Sequence, residues 1–248
     1  MKSYKIEPKF TSKVNPRIGL ITLGSDFRIE KDFNNLIYGK DIDLYVNRIH
    51  CYNPLTNETL VKMANDITSV TEDILPDQKI DCIAYGCTSG TIAAGYDTIK
   101  SKINLAKPDA KVTTPITSTI KALKKLDIKK ISIFTPYTKQ INDSVVSYFN
   151  NENIIINSLT YFDIASDLDI GKVDENYLFD ILSKIDLEDS DALFVSCTAL
   201  PVLSIIDRLE KKLNKIILSS NQTLIWDALN LIGNKEPVEG FGKIFEGN

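Results

Sequence analysis

Asp81-Cys82-Ile83-Ala84-Tyr85-Gly86-Cys87-Thr88-Ser89-Gly90 reads as an apolar strand running into a cysteine, then small polar residues, then the start of a helix. Its weight comes from a second copy, Asp191-Ala192-Leu193-Phe194-Val195-Ser196-Cys197-Thr198-Ala199-Leu200. The leading aspartate and the cysteine recur at one spacing, Asp81 to Asp191 and Cys87 to Cys197. The repeat extends outward, since Arg17 to Leu23 aligns with Lys130 to Pro136 at nearly the same offset. A duplicated strand-Cys-Thr-helix unit predicts a duplicated fold with two thiols facing one cleft.

Around these units, apolar runs of four to seven residues alternate with amphipathic stretches. Strands are expected over 17–23, 44–49, 80–85 and 111–114, and again over 130–135, 153–159, 192–196 and 215–218. Helices are expected over 28–37, 58–75 and 91–103, then 117–126, 140–149, 174–185 and 200–213, with a last helix ending at Leu231. Leu60, Met63, Ala64, Ile67, Val70 and Ile74 fall on one helical face. Strands alternating with helices give parallel sheets of right-handed βαβ units. Unalternated apolar strands are covered on both faces. The fold class is therefore α/β: two pseudo-symmetric, flavodoxin-like halves, each a parallel sheet flanked by helices, with the active site in the cleft between them. The first half is assigned to 1–116, the second to 117–221, and the C-terminal helix of 222–248 is expected to pack back on the first.

Ligands of such sheets bind beyond the C-terminal strand ends. Cys87, Cys197, Asp26, Tyr137 and Asn221 all fall at such ends. A cysteine at a helix N-terminus has its thiolate favoured by the helix dipole and free N–H groups, and the same N–H groups can hold a carboxylate. Thr88, Ser89 and Thr198 add hydroxyls beside each thiol. Two thiols across a cleft can act as base on one face of a carbon and acid on the other, or add to and leave a double bond. Gly86-Cys87-Thr88-Ser89-Gly90 lacks the spacing of a phosphate loop, and no motif for an organic cofactor is present. Mid-strand Cys82 reads as a packed small hydrophobe. Cys51 stands nearer the cleft, and its neighbour His50 points to the opposite strand face, so the two do not form a dyad.

Composition narrows the classes. Of 248 residues, 43% are hydrophobic and 25% charged, as in ordinary globular proteins. A net charge of −4 gives no basic footprint for nucleic acid. No apolar run approaches membrane-span length, and Met1 to Pro16 reads as a polar arm, not a secretory signal. Four cysteines without a CxxC pair, beside a single histidine, support neither zinc nor a disulfide framework. The expectation is a cytoplasmic protein with free thiols, needing no metal and no cofactor, whose partner is a small carboxylate-bearing substrate.

Two halves with a Cys-Thr after a strand in each resemble the aspartate/glutamate racemase superfamily. The closer resemblance is to its branch of maleate cis-trans isomerase, arylmalonate decarboxylase and the ectoine-utilisation racemase-like protein. Thr135-Pro136-Tyr137 resembles that branch's Thr-Pro-Tyr, which implies that Tyr137 holds a substrate carboxylate. The similarity spans roughly Arg17 to Gly233. Arylmalonate decarboxylase has glycine at the first cysteine position, so Cys87 argues against decarboxylation. Maleate isomerase carries asparagine after the first strand, where this chain has Asp26, and a further asparagine near the place of Asp167. Gly24-Ser25-Asp26, Ser196-Cys197-Thr198 and Ser220-Asn221-Gln222 with Trp226 resemble the ectoine-utilisation group. Pro201 departs from it, standing where a basic residue is expected. Family members are often oligomers, which makes a second copy of the chain a candidate partner.

These residues lead to a cofactor-independent isomerase with catalytic Cys87 and Cys197 and substrate-binding Asp26, Thr88, Ser89, Tyr137, Thr198 and Asn221. The leading expectation is racemisation or epimerisation of a small amino-acid derivative, with a diaminobutyrate derivative of ectoine breakdown as the candidate that the resemblance implies. The alternative is cis-trans isomerisation of a maleate-like diacid through addition of Cys87. A third reading is a non-catalytic small-molecule binding protein using the same cleft.

Overall fold

The structure is a computed structural model and describes residues 1–187 and 189–246. The first half runs β1 (Arg17–Leu23), α1 (Ile29–Ile37), β2 (Asp43–Ile49), α2 (Asn57–Met63), α3 (Ile67–Glu72), β3 (Cys82–Gly86), α4 (Thr88–Ala94), α5 (Tyr96–Ala106) and β4 (Lys111–Thr113). The second runs α6 (Pro115–Lys125), β5 (Lys130–Thr135), α7 (Lys139–Asn151), β6 (Ile155–Tyr161), α8 (Asp167–Ile170), α9 (Glu175–Leu182), β7 (Ala192–Val195), α10 (Ile206–Leu213) and β8 (Ile216–Ser219). A last helix, α11 (Ser220–Leu231), follows β8 without a loop.

Each half holds one four-stranded, all-parallel sheet, ordered β2-β1-β3-β4 in the first and β6-β5-β7-β8 in the second. The two orders are the same topology used twice. β3 and β7 are buried at every position, the signature of strands covered on both faces. In each sheet the chain leaves the first strand to one side and returns on the other. The switch points therefore lie between β1 and β3 and between β5 and β7, where a crevice opens past the strand ends. Both cysteine turns sit there.

Local chemistry explains where the elements depart from expectation. The helix expected over 58–75 breaks into α2, a 3-10 turn at Ala64–Asp66, and α3. Asn65 and Asp66 are weak helix formers, and the Thr71 hydroxyl bonds back to the Ile67 carbonyl at 2.6 Å. The helix after Cys87 starts at once, at Thr88, and is cut at Gly95, whose φ of +83° suits glycine. The helix expected from Leu200 starts only at Ile206, after a 3-10 turn at Leu203–Ile205. Pro201 biases the residue before it away from helical angles. The short α8, which carries Asp167, was not expected.

α11 packs on α6 and β8 as well as on β3, β4 and α1, so it touches elements around both sheets. Part of that contact is polar and buried. Asp227 on α11 accepts from Thr113 Oγ1 and from Lys121 Nζ, both at 2.6 Å, and Thr223 meets Thr119 at 2.9 Å. Residues 1–16 form no regular element and lie mostly exposed. Among the described residues no helix is long and apolar enough to cross a membrane.

Candidate active site

Five strand ends converge on one closed cleft. β3 delivers Cys87 as the N-cap of α4, where its Sγ accepts the Gly90 amide at 3.2 Å and lies 4.0 Å from Ser89 Oγ. β7 delivers Cys197 differently. No helix starts behind it, and its φ is +97°, a left-handed value that is strained for a residue with a Cβ. The expectation of a helix N-terminus behind both thiols therefore holds only for Cys87.

The two turns are tied to each other. Ser220, the first residue of α11, is fully buried, and its hydroxyl oxygen accepts from Thr88 Oγ1 at 2.9 Å and from the Cys197 amide at 3.0 Å. Thr198 Oγ1 donates to the Gly86 carbonyl at 3.3 Å, and Asn221 Nδ2 donates to the Thr198 carbonyl at 2.8 Å. Both threonine hydroxyls, expected beside the thiols as substrate-binding groups, and the Cys197 amide thus link the two turns to each other. The Thr88 and Ser89 amides remain in the first helical turn, where no preceding carbonyl of the helix can take them.

Tyr137, after β5, is 1% exposed, and its hydroxyl accepts from Ser196 Oγ at 3.4 Å. Asn142 fixes its turn: it accepts from Thr135 Oγ1 at 2.5 Å and donates to the Tyr137 carbonyl at 3.0 Å. Asp26, after β1, fixes the turn into α1 with one oxygen, which accepts from the Arg28 and Ile29 amides at 2.7 and 3.1 Å. Among the described residues its other oxygen is buried without a hydrogen bond, though the nearby Thr198 hydroxyl favours its charged form, and the side-chain oxygen of Asn221 is likewise buried without a partner.

The site also gathers carboxylates. Ser25 Oγ donates to Asp167 Oδ2 at 2.5 Å, and Asn221 Nδ2 donates to Asp32 Oδ2 at 2.7 Å. Burial raises all three acids above the usual carboxylate range, Asp167 to about 6 and Asp32 to about 7, and the charge of Asp26 adds to both shifts. Arg48, the cation nearest Asp26 in effect, spends its guanidinium on the Leu23 and Asp26 carbonyls and on Glu30. Burial also pushes both thiols up, and this outweighs the Gly90 amide at Cys87 and the Ala199 amide at Cys197. The negative charges of Asp167 and Asp26 push Cys197 further, and that of Asp167 also acts on Cys87. The resting thiols are therefore neutral, not the lowered-pKa thiolates that helix termini alone would give. Half-buried Cys51, beside the same carboxylates, is raised to about 11.

All eight expected site residues are buried in this cleft. Asp32, Ser25, Ser220 and Tyr85 were not singled out by sequence. Ser25, Ser220 and Tyr85 stood beside or within stretches already suspect, next to Asp26, Asn221 and the first cysteine turn, whereas Asp32 carried no local signal. Cys87 and Cys197 are 3% and 6% exposed, so the cleft is shut. A cavity of about 620 Å³ lies elsewhere, near Arg17 and Asp81 at the opposite strand ends, away from this chemistry. Among the described residues no group of three or more His, Cys, Asp or Glu side chains is placed to hold a metal ion.

Comparison with known proteins agrees with this architecture. The maleate isomerase of Geobacillus stearothermophilus is 25% identical, over 93% of this chain and 97% of its own. Arylmalonate decarboxylase of Bordetella bronchiseptica is 25% identical over 54% of this chain and 57% of its own. The crystal structure of the maleate isomerase Iso from Pseudomonas putida S16 superposes with a TM-score of 0.86 at 21% identity, covering 94% of this chain and 99% of that one. A Nocardia farcinica maleate cis-trans isomerase mutant with a covalently bound succinylcysteine intermediate superposes at 0.85 with 19% identity, covering 94% and 98%. The family model described as arylmalonate decarboxylase matches residues 59–245, and the chain belongs to that family.

Proposed function

We propose that this protein is a cofactor-independent isomerase that works with two cysteine thiols, Cys87 and Cys197, on opposite faces of a small substrate. The observation that carries the reading is the strap at Ser220. One hydroxyl oxygen touches both the residue after the first thiol and the amide of the second, so the two thiol turns are held as one unit. The relatives named as isomerases, one of them with a cysteine-bound intermediate, support it.

Within that class, the substrate is a small amino-acid derivative that is racemised or epimerised. Asp26, Asp32 and Asp167 support this choice. A dianion such as maleate would enter against three buried carboxylates, whereas an ammonium or amide N–H would meet the unpartnered oxygens of Asp26 and Asn221. A bound cation also aids the chemistry. It offsets the negative charges that oppose ionisation of the thiols. One thiolate then removes the α-proton and the other thiol returns a proton on the far face. The substrate carboxylate is held by Tyr137 and by the Thr88 and Ser89 amides. A diaminobutyrate derivative of ectoine breakdown has both groups, and the Gly24-Ser25-Asp26 turn resembles the ectoine-utilisation proteins. Four unpaired cysteines suit a reducing cytoplasm.

The second reading is cis-trans isomerisation of a maleate-like diacid, favoured by the names of the relatives. There Cys87 adds to the alkene, the carbon–carbon bond rotates, and Cys197 handles the proton. Proton exchange in deuterated water separates the two. Wild type, Cys87→Ser and Cys197→Ser are given α-amino acids, N-acetyl-diaminobutyrates and maleate, followed by NMR. Exchange of an α-hydrogen by wild type, with neither single variant able to invert the centre, supports racemisation. Fumarate formed from maleate, without α-exchange elsewhere, supports the second reading. Activity that survives both substitutions sinks the two-thiol mechanism.

A further inference from the structure

Tyr85 is fully buried on β3, and its hydroxyl has no hydrogen-bond partner among the described residues. Such a group loses its hydration with nothing in exchange, so native structures keep few of them and each calls for a reason. β3 ends at Gly86, and the chain turns there, the Cys87 amide donating back to the Tyr85 carbonyl at 3.0 Å, so the two residues stay close. Gly90 locates the two atoms. A Cβ there would stand 2.7 Å from Cys87 Sγ and 3.1 Å from the Tyr85 hydroxyl, so the two are no farther apart than those distances combined. The Met63 methyl, 3.1 Å from the same point, adds an apolar wall.

The second half has a matching phenol. Tyr137 stands beside Cys197, and the nearness of its hydroxyl favours the Cys197 thiolate. The two tyrosines are not copies of each other. By the spacing of the repeat, Tyr85 corresponds to Val195, and Tyr137 corresponds to Gly24. The duplication has lost its sequence symmetry here, yet each thiol keeps one phenol.

We propose that Tyr85 is a further catalytic residue, donating a hydrogen bond to the Cys87 thiolate when that thiol serves as the base, as the counterpart of Tyr137 at Cys197. The inference rests on the two-thiol reading of the site. It accounts for the orphaned hydroxyl. A neutral thiol is a poor acceptor, and this one already takes the Gly90 amide at 3.2 Å. Ionisation gives the sulfur a full charge that draws the phenol in. The phenol keeps its own proton throughout, since burial raises its pKa far above the working range. No bond is made or broken at Tyr85.

Tyr85→Phe removes the hydroxyl alone. The measurement is the rate of iodoacetamide alkylation at Cys87 against pH, located by peptide fragmentation because Cys82 shares the tryptic peptide. The midpoint is expected to move up by about one pH unit, with a roughly tenfold slower reaction near neutrality and no change at Cys197. The melting temperature is expected to stay level or rise, since an unmet buried hydroxyl has been removed. A lower melting temperature with an unmoved Cys87 profile marks a structural residue and overturns the proposal. If the shut cleft shields Cys87 from the reagent in both proteins, thiolate ultraviolet absorbance takes its place. It is titrated in a Cys51→Ser/Cys197→Ser background with and without Tyr85→Phe, and an unmoved titration overturns the proposal. Both readouts use the free protein. Turnover that survives Cys87→Ser would sink the two-thiol reading while a shifted Cys87 profile still stood. An unmoved profile beside an inactive Cys87→Ser would do the reverse.

Discussion

The Ser220 hydroxyl holds the Cys197 amide at 3.0 Å while it accepts from Thr88 at 2.9 Å. Cys197 keeps its φ of +97° inside this grip. A β-carbon residue stays in such a conformation only where its surroundings over-determine it. Ser220 is therefore a positioning residue for the second thiol, and it ties that thiol to the first.

Ser220→Ala leaves the Cys197 amide and the Thr88 hydroxyl without their acceptor. A lost buried partner costs about 1–3 kcal/mol of stability. The larger effect is expected on turnover, since misplacing a reacting group by about 1 Å can cost on the order of a hundredfold in rate. Steady-state kinetics should show that loss in kcat with KM nearly unchanged. Ser220→Thr, which keeps the hydroxyl, should recover part of it. Equal kcat in the alanine variant and wild type would remove Ser220 from the positioning role.

The raised carboxyls make the stability of the free protein pH-dependent. Asp32 sits at about 7 and Asp167 at about 6 in the fold, against 3.8 for a free aspartate. Between 3.8 and these values the native state binds more protons than the unfolded state, so stability falls as pH rises through that window. The melting temperature of the free protein should therefore drop from about pH 5 to about pH 8. Asp32→Asn keeps an acceptor for Asn221 and removes the titration. Its melting temperature should vary less over the same range.

The sequence carried what is local and repeated. The apolar runs of β3 and β7 and the paired Cys-Thr steps were enough to place two parallel sheets and the thiols at their switch points. Single residues with strong backbone rules defeated longer readings: Pro201 delayed α10, and Gly95 divided α4 from α5. What stayed illegible depends on the docking of the halves. Asp32 reads as a polar helix residue until Asn221, 189 positions away, donates to it. Ser220 reads as a helix start until Thr88 and Cys197 both reach it. The state of the thiols was misjudged for the same reason: helix termini are visible in sequence, but the burial that outweighs them is not.

Substrate charge can be tested by restoring amides. Asp26→Asn/Asp167→Asn removes two negative charges from the cleft while keeping both shapes. The Arg28 and Ile29 amides keep a side-chain oxygen to donate to. The double variant should lose affinity for amino-bearing substrates by roughly tenfold or more and gain affinity for dicarboxylates, because specificity is a difference of two affinities and the repulsive element has been removed. Competitive binding of succinate against an α-amino acid, read by calorimetry, checks it. An unchanged preference would mean that these carboxylates do not face the substrate.

Gly90 should tolerate no side chain. It occupies the first turn of α4, and a Cβ would lie 2.7 Å from Cys87 Sγ, 3.1 Å from Met63 Cε and 3.1 Å from the Tyr85 hydroxyl. The Met63 methyl is the end of a flexible chain and can move. Making room means pushing the thiol out of its place as helix cap or the buried phenol away from the sulfur. Overpacking of this kind costs about 1–3 kcal/mol. Gly90→Ala should therefore melt several degrees lower, and the displaced Cys87 sulfur should lose the 3.2 Å bond from the Gly90 amide that helps its thiolate. Turnover should fall more than stability explains, and alkylation of Cys87 should change while that of Cys197 does not. A folded, fully active alanine variant would show that the cleft around Cys87 is looser than the shut form described above.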